Sequence, residues 1–172
     1  MPRDRTMRRA TGLDLRYLNA LQKANRDAVG FFGTAALFKY VSRGQVWLQL
    51  ENDEPCGYLL FNDTPGARIR RVRPGTATIY QVCIQTDARR LANATSLVEA
   101  LATEARRHGF DWLDCCVTDT IAANDFWPSV GFAVVGRRRG GRSRGRVLNH
   151  YERELRHDPR EPRLVYPDRE SV

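Results

Sequence analysis

The sequence is short of lysine, of paired cysteines and of long apolar stretches. Only Lys23 and Lys39 among its 28 basic residues are lysines, so arginine carries almost all of the positive charge. Charged residues interrupt the apolar stretches within about ten positions, which is too short for a membrane-spanning helix. The basic residues 1–9 are not followed by the apolar segment of a secretory signal. We therefore expect a cytoplasmic protein that does not enter a membrane.

The four cysteines form no C-x-x-C pair. Adjacent residues of a strand point to opposite faces, so the neighbours Cys115 and Cys116 are poorly placed to share a zinc ion. Each cysteine lies in an apolar segment, where a free thiol packs as a small hydrophobic group. We expect no metal site.

The length of 172 residues suits one domain, and a hydrophobic content of 42% is enough for a core. We assign residues 1–156 to a single domain and residues 157–172, rich in proline and charge, to an extended or disordered tail. The net charge of +8 predicts affinity for anions but does not identify a partner.

Apolar periodicity predicts an α+β layered domain with one mixed sheet. The pattern has a period near 3.6 where helices are expected and a period of two where strands are expected. The predicted strands are 7–10, 45–50, 56–61, 76–85, 112–117, 132–135 and 147–155, and the predicted helices begin near residues 13, 35, 93 and 121.

A loop of small residues joins the predicted central strand to the longest helix. The first amides of a helix have no partner within it, and the helix dipole makes that end positive. Such a turn can bind a phosphate, although many turns of this kind bind nothing. The composition of this loop alone does not decide whether it binds a phosphate or binds nothing.

This loop resembles the pyrophosphate loop of the GNAT acyltransferases, whose pattern is Gln/Arg-x-x-Gly-x-Gly/Ala. Arg89 fills the first position and Ala94 the last, while Ala92 replaces the middle glycine. Further along, Ala123, Trp127 and Gly131-Phe132 resemble the family's Ala, Tyr and Gly-Phe. The resemblance covers residues 7–155.

The resemblance implies a mixed, mostly antiparallel sheet of six to seven strands flanked by about four helices. It implies direct transfer of an acyl group from acetyl-CoA, or another acyl-CoA, to an amine acceptor in a ternary complex. The backbone of Val82 and Ile84 would pair with the pantetheine arm, and an amide near Val82–Cys83 would polarise the thioester. The full set of cofactor-binding residues that it implies is Val82, Cys83, Ile84, Arg89, Arg90, Leu91, Ala92, Asn93, Ala94, Thr95, Asn124 and Trp127.

The chain departs from the family where catalytic side chains are expected. Gln81 stands near the place of a glutamate base, and Trp127 stands at the place of a tyrosine acid, where packing in the core is the favoured interpretation. Asn124 lies one turn after Thr120, which replaces a cofactor-contacting asparagine. We choose Asp119 and Tyr151 as catalytic candidates. The other acid or base candidates are Glu51, Tyr80, His108, Asp114 and His150.

An arginine-rich hairpin, residues 137–146, would border the acceptor site in this family. We assign Arg139, Arg142, Arg144 and Arg146 to binding an acidic acceptor or a polyanion, because arginine pairs with phosphates and carboxylates. The alternatives are a solvated basic loop, or a nucleic-acid-binding or nucleic-acid-modifying protein with the same fold. We expect a monomer or a homodimer.

Overall fold

The computed structural model describes residues 4–64, 74–90, 92–140 and 145–155. Within them the strands form one seven-stranded sheet with the order β1-β2-β3-β4-β5-β7-β6. Strands β4 and β5 are parallel, whereas the other neighbours are antiparallel, which confirms the predicted sheet. The strands are β1 (Arg5–Arg9), β2 (Val46–Glu51), β3 (Glu54–Asn62), β4 (Thr76–Ile84), β5 (Trp112–Thr118), β6 (Ala133–Arg139) and β7 (Val147–Glu154).

The helices of the described residues are α1 (Leu15–Ala24), α2 (Arg26–Val29), α3 (Thr34–Ser42), α4 (Asn93–Arg107) and α5 (Phe126–Ser129). The predicted helix 121–130 is a 3-10 turn, Ala122–Asp125, that continues into the single turn of α5. No helix in this part of the chain has the length and apolarity needed to cross a membrane. The tail predicted at 157–172 lies outside the described residues.

Two apolar cores cover opposite faces of the sheet, as the alternation along β3 shows. Leu59 and Phe61 belong to the core beneath α4 and α5, whereas Tyr58 and Leu60 belong to the core beneath α1 and α3. We call these two sides the α4 face and the α1 face.

Candidate functional site

The sheet opens between its two central strands. The pairing of β4 with β5 begins at Thr76 and Trp112 and ends at Ile79 and Cys115. Beyond that point β4 stays paired with β3 as far as Ile84, and β5 stays paired with β7. Residues 80–84 of β4 and 116–118 of β5 therefore form the two walls of a cleft.

The exposed backbone of β4 points into this cleft. The amide of Gln85 donates to the carbonyl of Cys56 on β3 at 2.9 Å, so the odd-numbered residues at this end of β4 face β3. Alternation then directs the N–H and C=O groups of Val82 and Ile84 towards the cleft. A register shift between β3 and β4 leaves Tyr80 as an extra residue where the cleft begins.

The loop after β4 presents amides at the mouth of the cleft. Ala92 has a left-handed backbone with φ 62°, and α4 begins at the next residue. The first bond inside the helix is from the Ser96 amide to the Ala92 carbonyl, at 2.9 Å. No side chain of the described residues accepts from the amides of Asn93, Ala94 and Thr95, which leaves them available to an anion. Leu91 lies outside the described residues.

Side chains fix this loop in place. The amide group of Asn93 is buried and donates to the Ala88 carbonyl at 3.0 Å. Arg89 donates from Nε to the Ile84 carbonyl at 3.1 Å and from Nη2 to Asn25 Oδ1 at 2.6 Å. Arg89 thus joins the loop to the end of α1, and it uses one of the two carbonyls that were assigned to the pantetheine arm. Arg90, with φ 61°, is exposed beside it.

The two predicted catalytic residues lie apart. Asp119 directly follows β5, is half-buried, and donates its amide to the Val147 carbonyl at 3.0 Å. Tyr151 is buried in the core of the α4 face and donates to Asn124 Oδ1 at 2.9 Å. Both assignments stay predictions, and the structure gives Tyr151 a packing role.

Asn124 is fully engaged with protein groups. Its Nδ2 donates to the carbonyls of Thr118 and Ile121 at 2.8 Å, and its Oδ1 also accepts from Asn149 at 2.9 Å. This network ties the turn before α5 to β5 and β7. The cofactor-binding role of Asn124 stays a prediction.

Trp127 packs in the core. Its side chain is buried and makes edge-to-face contacts with Phe126 and Phe132, at centroid distances of 5.2 and 5.1 Å. These contacts support the interpretation of Trp127 as a core residue.

Gln81 also has a structural role. Its Oε1 accepts from the hydroxyl of Tyr58 at 2.8 Å, and its Nε2 donates to the carbonyl of Val29 at 3.1 Å. The side chain therefore fastens the end of α2 to the sheet. A carboxylate at this position would lose the donor that binds Val29.

A pocket of about 380 Å³ opens on the α1 face where β4 and β5 diverge. Its side chains come from four strands, because β6 and β7 continue the sheet beyond β5. Tyr80 forms one wall and also contacts Tyr40, with ring centroids 5.7 Å apart. The lining includes Tyr80, Asp114, Cys116, Gly136, Arg138 and His150.

Asp114 and His150 form a close pair inside this pocket. Asp114 Oδ2 lies 3.0 Å from Nε2 of His150, and Glu152 Oε1 lies 4.0 Å from the same nitrogen. Asp114 is only 3% exposed, and its Oδ1 has no hydrogen-bond partner among the described residues. A buried carboxylate that holds one imidazole nitrogen leaves the other available for proton transfer.

The arginines of the hairpin have different surroundings. Arg146 forms an ion pair with Asp27 at 3.7 Å, and Arg139 is exposed at the end of β6. Arg142 and Arg144 lie outside the described residues. Arg138 lies on the pocket side, near the thiol of Cys116. Burial raises the pKa of this thiol, and Arg138 opposes the shift.

The sequence matches one family model. The model of the acetyltransferase (GNAT) family matches residues 16–132. No curated protein matches the sequence significantly.

Several solved structures share the fold at low sequence identity. Ard1 from Thermoplasma volcanium has a TM-score of 0.75 at 13% identity, covering 89% of this chain and 99% of its own. The putative acetyltransferase yncA from Salmonella typhimurium, solved with acetyl-CoA, has a TM-score of 0.70 at 20% identity, covering 90% and 96%. N-acetylglutamate synthase from Neisseria gonorrhoeae, complexed with coenzyme A and N-acetyl-glutamate, has a TM-score of 0.73 at 14% identity, covering 91% of this chain and 36% of its own.

Proposed function

The chain belongs to the acetyltransferase (GNAT) family, and we propose that it transfers an acetyl group from acetyl-CoA directly to an amine in a ternary complex. The cleft between β4 and β5, with free amides at its mouth, is the observation that supports this most strongly. We place the reaction in the cytoplasm and the protein in a monomeric or homodimeric state, as the sequence predicts.

The residues around the cleft fit an acyl-CoA. The amides of Asn93, Ala94 and Thr95 suit the diphosphate, since they combine unpaired donors with the positive end of α4. Arg90 adds an exposed positive charge beside them. The backbone of Val82 suits the amide groups of the pantetheine arm, because it faces the cleft without a partner strand.

The thioester of the bound cosubstrate supplies a carbonyl carbon that an amine can attack. The backbone amide of Val82, which faces the cleft, can stabilise the negative charge that develops on the carbonyl oxygen, whereas the amide of Cys83 faces β3. The amine enters from the pocket on the α1 face, because this pocket meets the cleft at Tyr80.

His150 is the group we assign to accept the proton of the amine. When Asp114 is ionised, the shared proton must lie on Nε2 of His150, since a carboxylate only accepts hydrogen bonds. Nδ1 then carries the lone pair that removes a proton from an ammonium group. Asp114 acts here as a positioning residue, which selects the tautomer and the orientation of the ring.

Substitution of His150 tests this assignment. We expect His150→Gln to lower kcat with a reactive amine by about a hundredfold or more, the usual contribution of a general base. Binding of acetyl-CoA, measured by calorimetry, should not change, because His150 lies outside the cofactor cleft.

The Asp119→Asn variant is compared with His150→Gln, because it removes a carboxylate at the end of the cleft away from His150. If His150→Gln keeps its normal kcat and Asp119→Asn loses most of it, the general base is Asp119 and not His150. Absence of acetyl-CoA binding to the unaltered protein would overturn the enzyme assignment itself.

A nucleic-acid-binding function is the second candidate, motivated by the exposed arginines 137–139 on the edge strand β6. This function requires that binding of the nucleic acid weakens steeply as the salt concentration rises. Retention of a single-stranded oligonucleotide by the unaltered protein, lost in a charge-reversed Arg139, Arg142 and Arg144 variant, would support it. Equal retention by both proteins would exclude the hairpin as the binding surface.

A further inference from the structure

Resting on the proposed function, we infer that the amine acceptor is a small molecule carrying a carboxylate or phosphate group, which Arg138 binds while the amine lies at Asp114 and His150. The inference comes from the opposite charges at the two ends of the pocket on the α1 face.

The acidic end of the pocket has an unsatisfied acceptor. Asp114 is almost completely buried, yet its Oδ1 has no hydrogen-bond partner among the described residues. A buried carboxylate is costly without a positive charge nearby, so this end of the pocket favours a cation such as an ammonium group. The nearby carboxylate of Glu152 adds to the preference for a cation at this end.

The basic end is provided by Arg138. On the paired strands β6 and β7, Arg138 lies opposite Leu148 and Gly136 lies opposite His150, so all four side-chain positions are on the pocket side. The group beside the Arg138 guanidinium is a neutral thiol, that of Cys116, which can only accept from it. No carboxylate of the described residues lies within ion-pair distance of Arg138.

Three arginines of the described chain differ in this respect. Arg8 pairs with Asp14, Arg146 with Asp27, and Arg153 with Glu99. A guanidinium that lines a pocket and has no carboxylate partner among the described residues can bind an incoming anion through two parallel hydrogen bonds.

The spacing of the two ends and the size of the pocket limit the acceptor. Arg138 lies opposite Leu148, two positions from His150 along β7, which corresponds to about 7 Å. The amine and the anion should therefore be separated by a few bonds. A volume of about 380 Å³ is near the lower end for ligand pockets, which favours a free small molecule over a polymer.

Gly136 keeps the pocket open beside His150. A Cβ atom built on Gly136 would meet no atom within 4 Å. The backbone can therefore accept a larger residue here, whose side chain would occupy the space needed by the acceptor.

The experiment compares matched amines that differ only in the anionic group. The pairs are β-alanine with β-alaninamide, and O-phosphoethanolamine with ethanolamine, each with saturating acetyl-CoA. We expect the unaltered protein to favour at least one anionic member by about tenfold or more in kcat/KM, and the better pair distinguishes carboxylate from phosphate. Arg138→Gln should abolish that preference without slowing transfer to the neutral partner, and Arg138→Lys should restore part of it.

Arg107→Gln is the control, because it removes the same charge from the exposed end of α4. Gly136→Val should prevent transfer to both members of each pair while acetyl-CoA binding is unchanged. The inference would be overturned if kcat/KM were equal for the neutral and the anionic amines, or if Arg138→Gln lowered kcat/KM equally for both. The acetyltransferase assignment would remain intact in either case. Transfer only to an oligonucleotide would overturn it in favour of a polyanionic acceptor. Failure to bind acetyl-CoA would instead refute the function on which it rests.

Discussion

Ala92 is the residue at which sequence and backbone disagree most clearly. Its φ of 62° is a region that glycine adopts freely and alanine adopts at a cost of about 1 kcal/mol. The GNAT pattern has glycine at this position, and the backbone gives the physical reason. The backbone of Ala92 is thus left-handed although the residue that stands there is not glycine.

Ala92→Gly should therefore improve cofactor binding. We expect about a fewfold tighter binding of coenzyme A, because a methyl group is removed beside the free amides and the strain is relieved. Stability should change by less than about 1 kcal/mol, since the greater freedom of glycine in the unfolded chain offsets the gain. Calorimetry and thermal unfolding measure the two effects.

Ala94→Gly is the matched comparison, because Ala94 lies in the first turn of α4 with ordinary helical geometry. In this helical position, replacement of alanine by glycine should lower the free energy of unfolding by about 0.5–1 kcal/mol. Weaker coenzyme A binding by Ala92→Gly would show that the left-handed backbone does not belong to a cofactor loop.

At the scale of elements, a buried carboxylate connects β1 to the start of α1. Asp14 accepts two hydrogen bonds from Arg8, both at 2.8 Å, and one from the amide of Thr11 at 2.8 Å. The hydrogen bonds from Arg8 are the main reason that the pKa of Asp14 falls from 3.8 to about 2. A carboxyl whose pKa is lowered by folding stabilises the fold above its unfolded pKa and loses that contribution as the pH falls towards 2.

Asp14→Asn tests this connection. We expect the free energy of unfolding to fall by about 1–2 kcal/mol near pH 7, since the charge-assisted bonds from Arg8 and from the Thr11 amide are both weakened. The difference in free energy of unfolding between the variant and the unaltered protein should shrink as the pH falls from 4 towards 2, where Asp14 itself becomes protonated. Urea unfolding across this range measures it. Asp53→Asn, in an exposed turn, should differ little at any pH, and a constant deficit in Asp14→Asn would contradict the charge-based explanation.

The elements differ in how far local sequence determines them. The stripe of Leu97, Val98 and Leu101 predicts α4, because apolar residues recur regularly at the helical period over a long segment. The four-residue α2 has too few positions for a period of its own, and the sequence predicts it only as the end of the helix that begins near residue 13. The predicted helix 121–130 divides into two short turns for the same reason, with Pro128 limiting the second.

The candidate site depends on contacts that local patterns do not determine. Asp114 and His150 are separated by 36 positions and meet only through the pairing of β5 with β7. Tyr151, chosen from the sequence as a catalytic residue, is adjacent to His150 but points to the α4 face. A difference of one residue in a strand moves a side chain from the pocket to the core, so the choice between neighbouring candidates depends on which face each one occupies.

At the scale of the whole molecule, the cleft divides the sheet into two parts. Strands β1–β4 and β5–β7 share only the ladder from Thr76 and Trp112 to Ile79 and Cys115. The core beneath α4 includes residues of both parts, such as Leu59 and Leu113. A cofactor in the cleft would add contacts to β4 and to the start of α4, the element that covers both parts.

Hydrogen exchange can separate the two halves of the cofactor site. Acetyl-CoA should slow exchange by about tenfold or more in residues 80–84 and 93–97, because its pantetheine arm and its diphosphate occupy different amides. Acetyl-pantetheine, which lacks the diphosphate, should protect 80–84 and leave 93–97 unchanged. Strand β1 lies at the far edge of the sheet and serves as the internal reference. Protection at 93–97 by acetyl-pantetheine would mean that the helix start responds to closure of the cleft and does not itself bind the diphosphate.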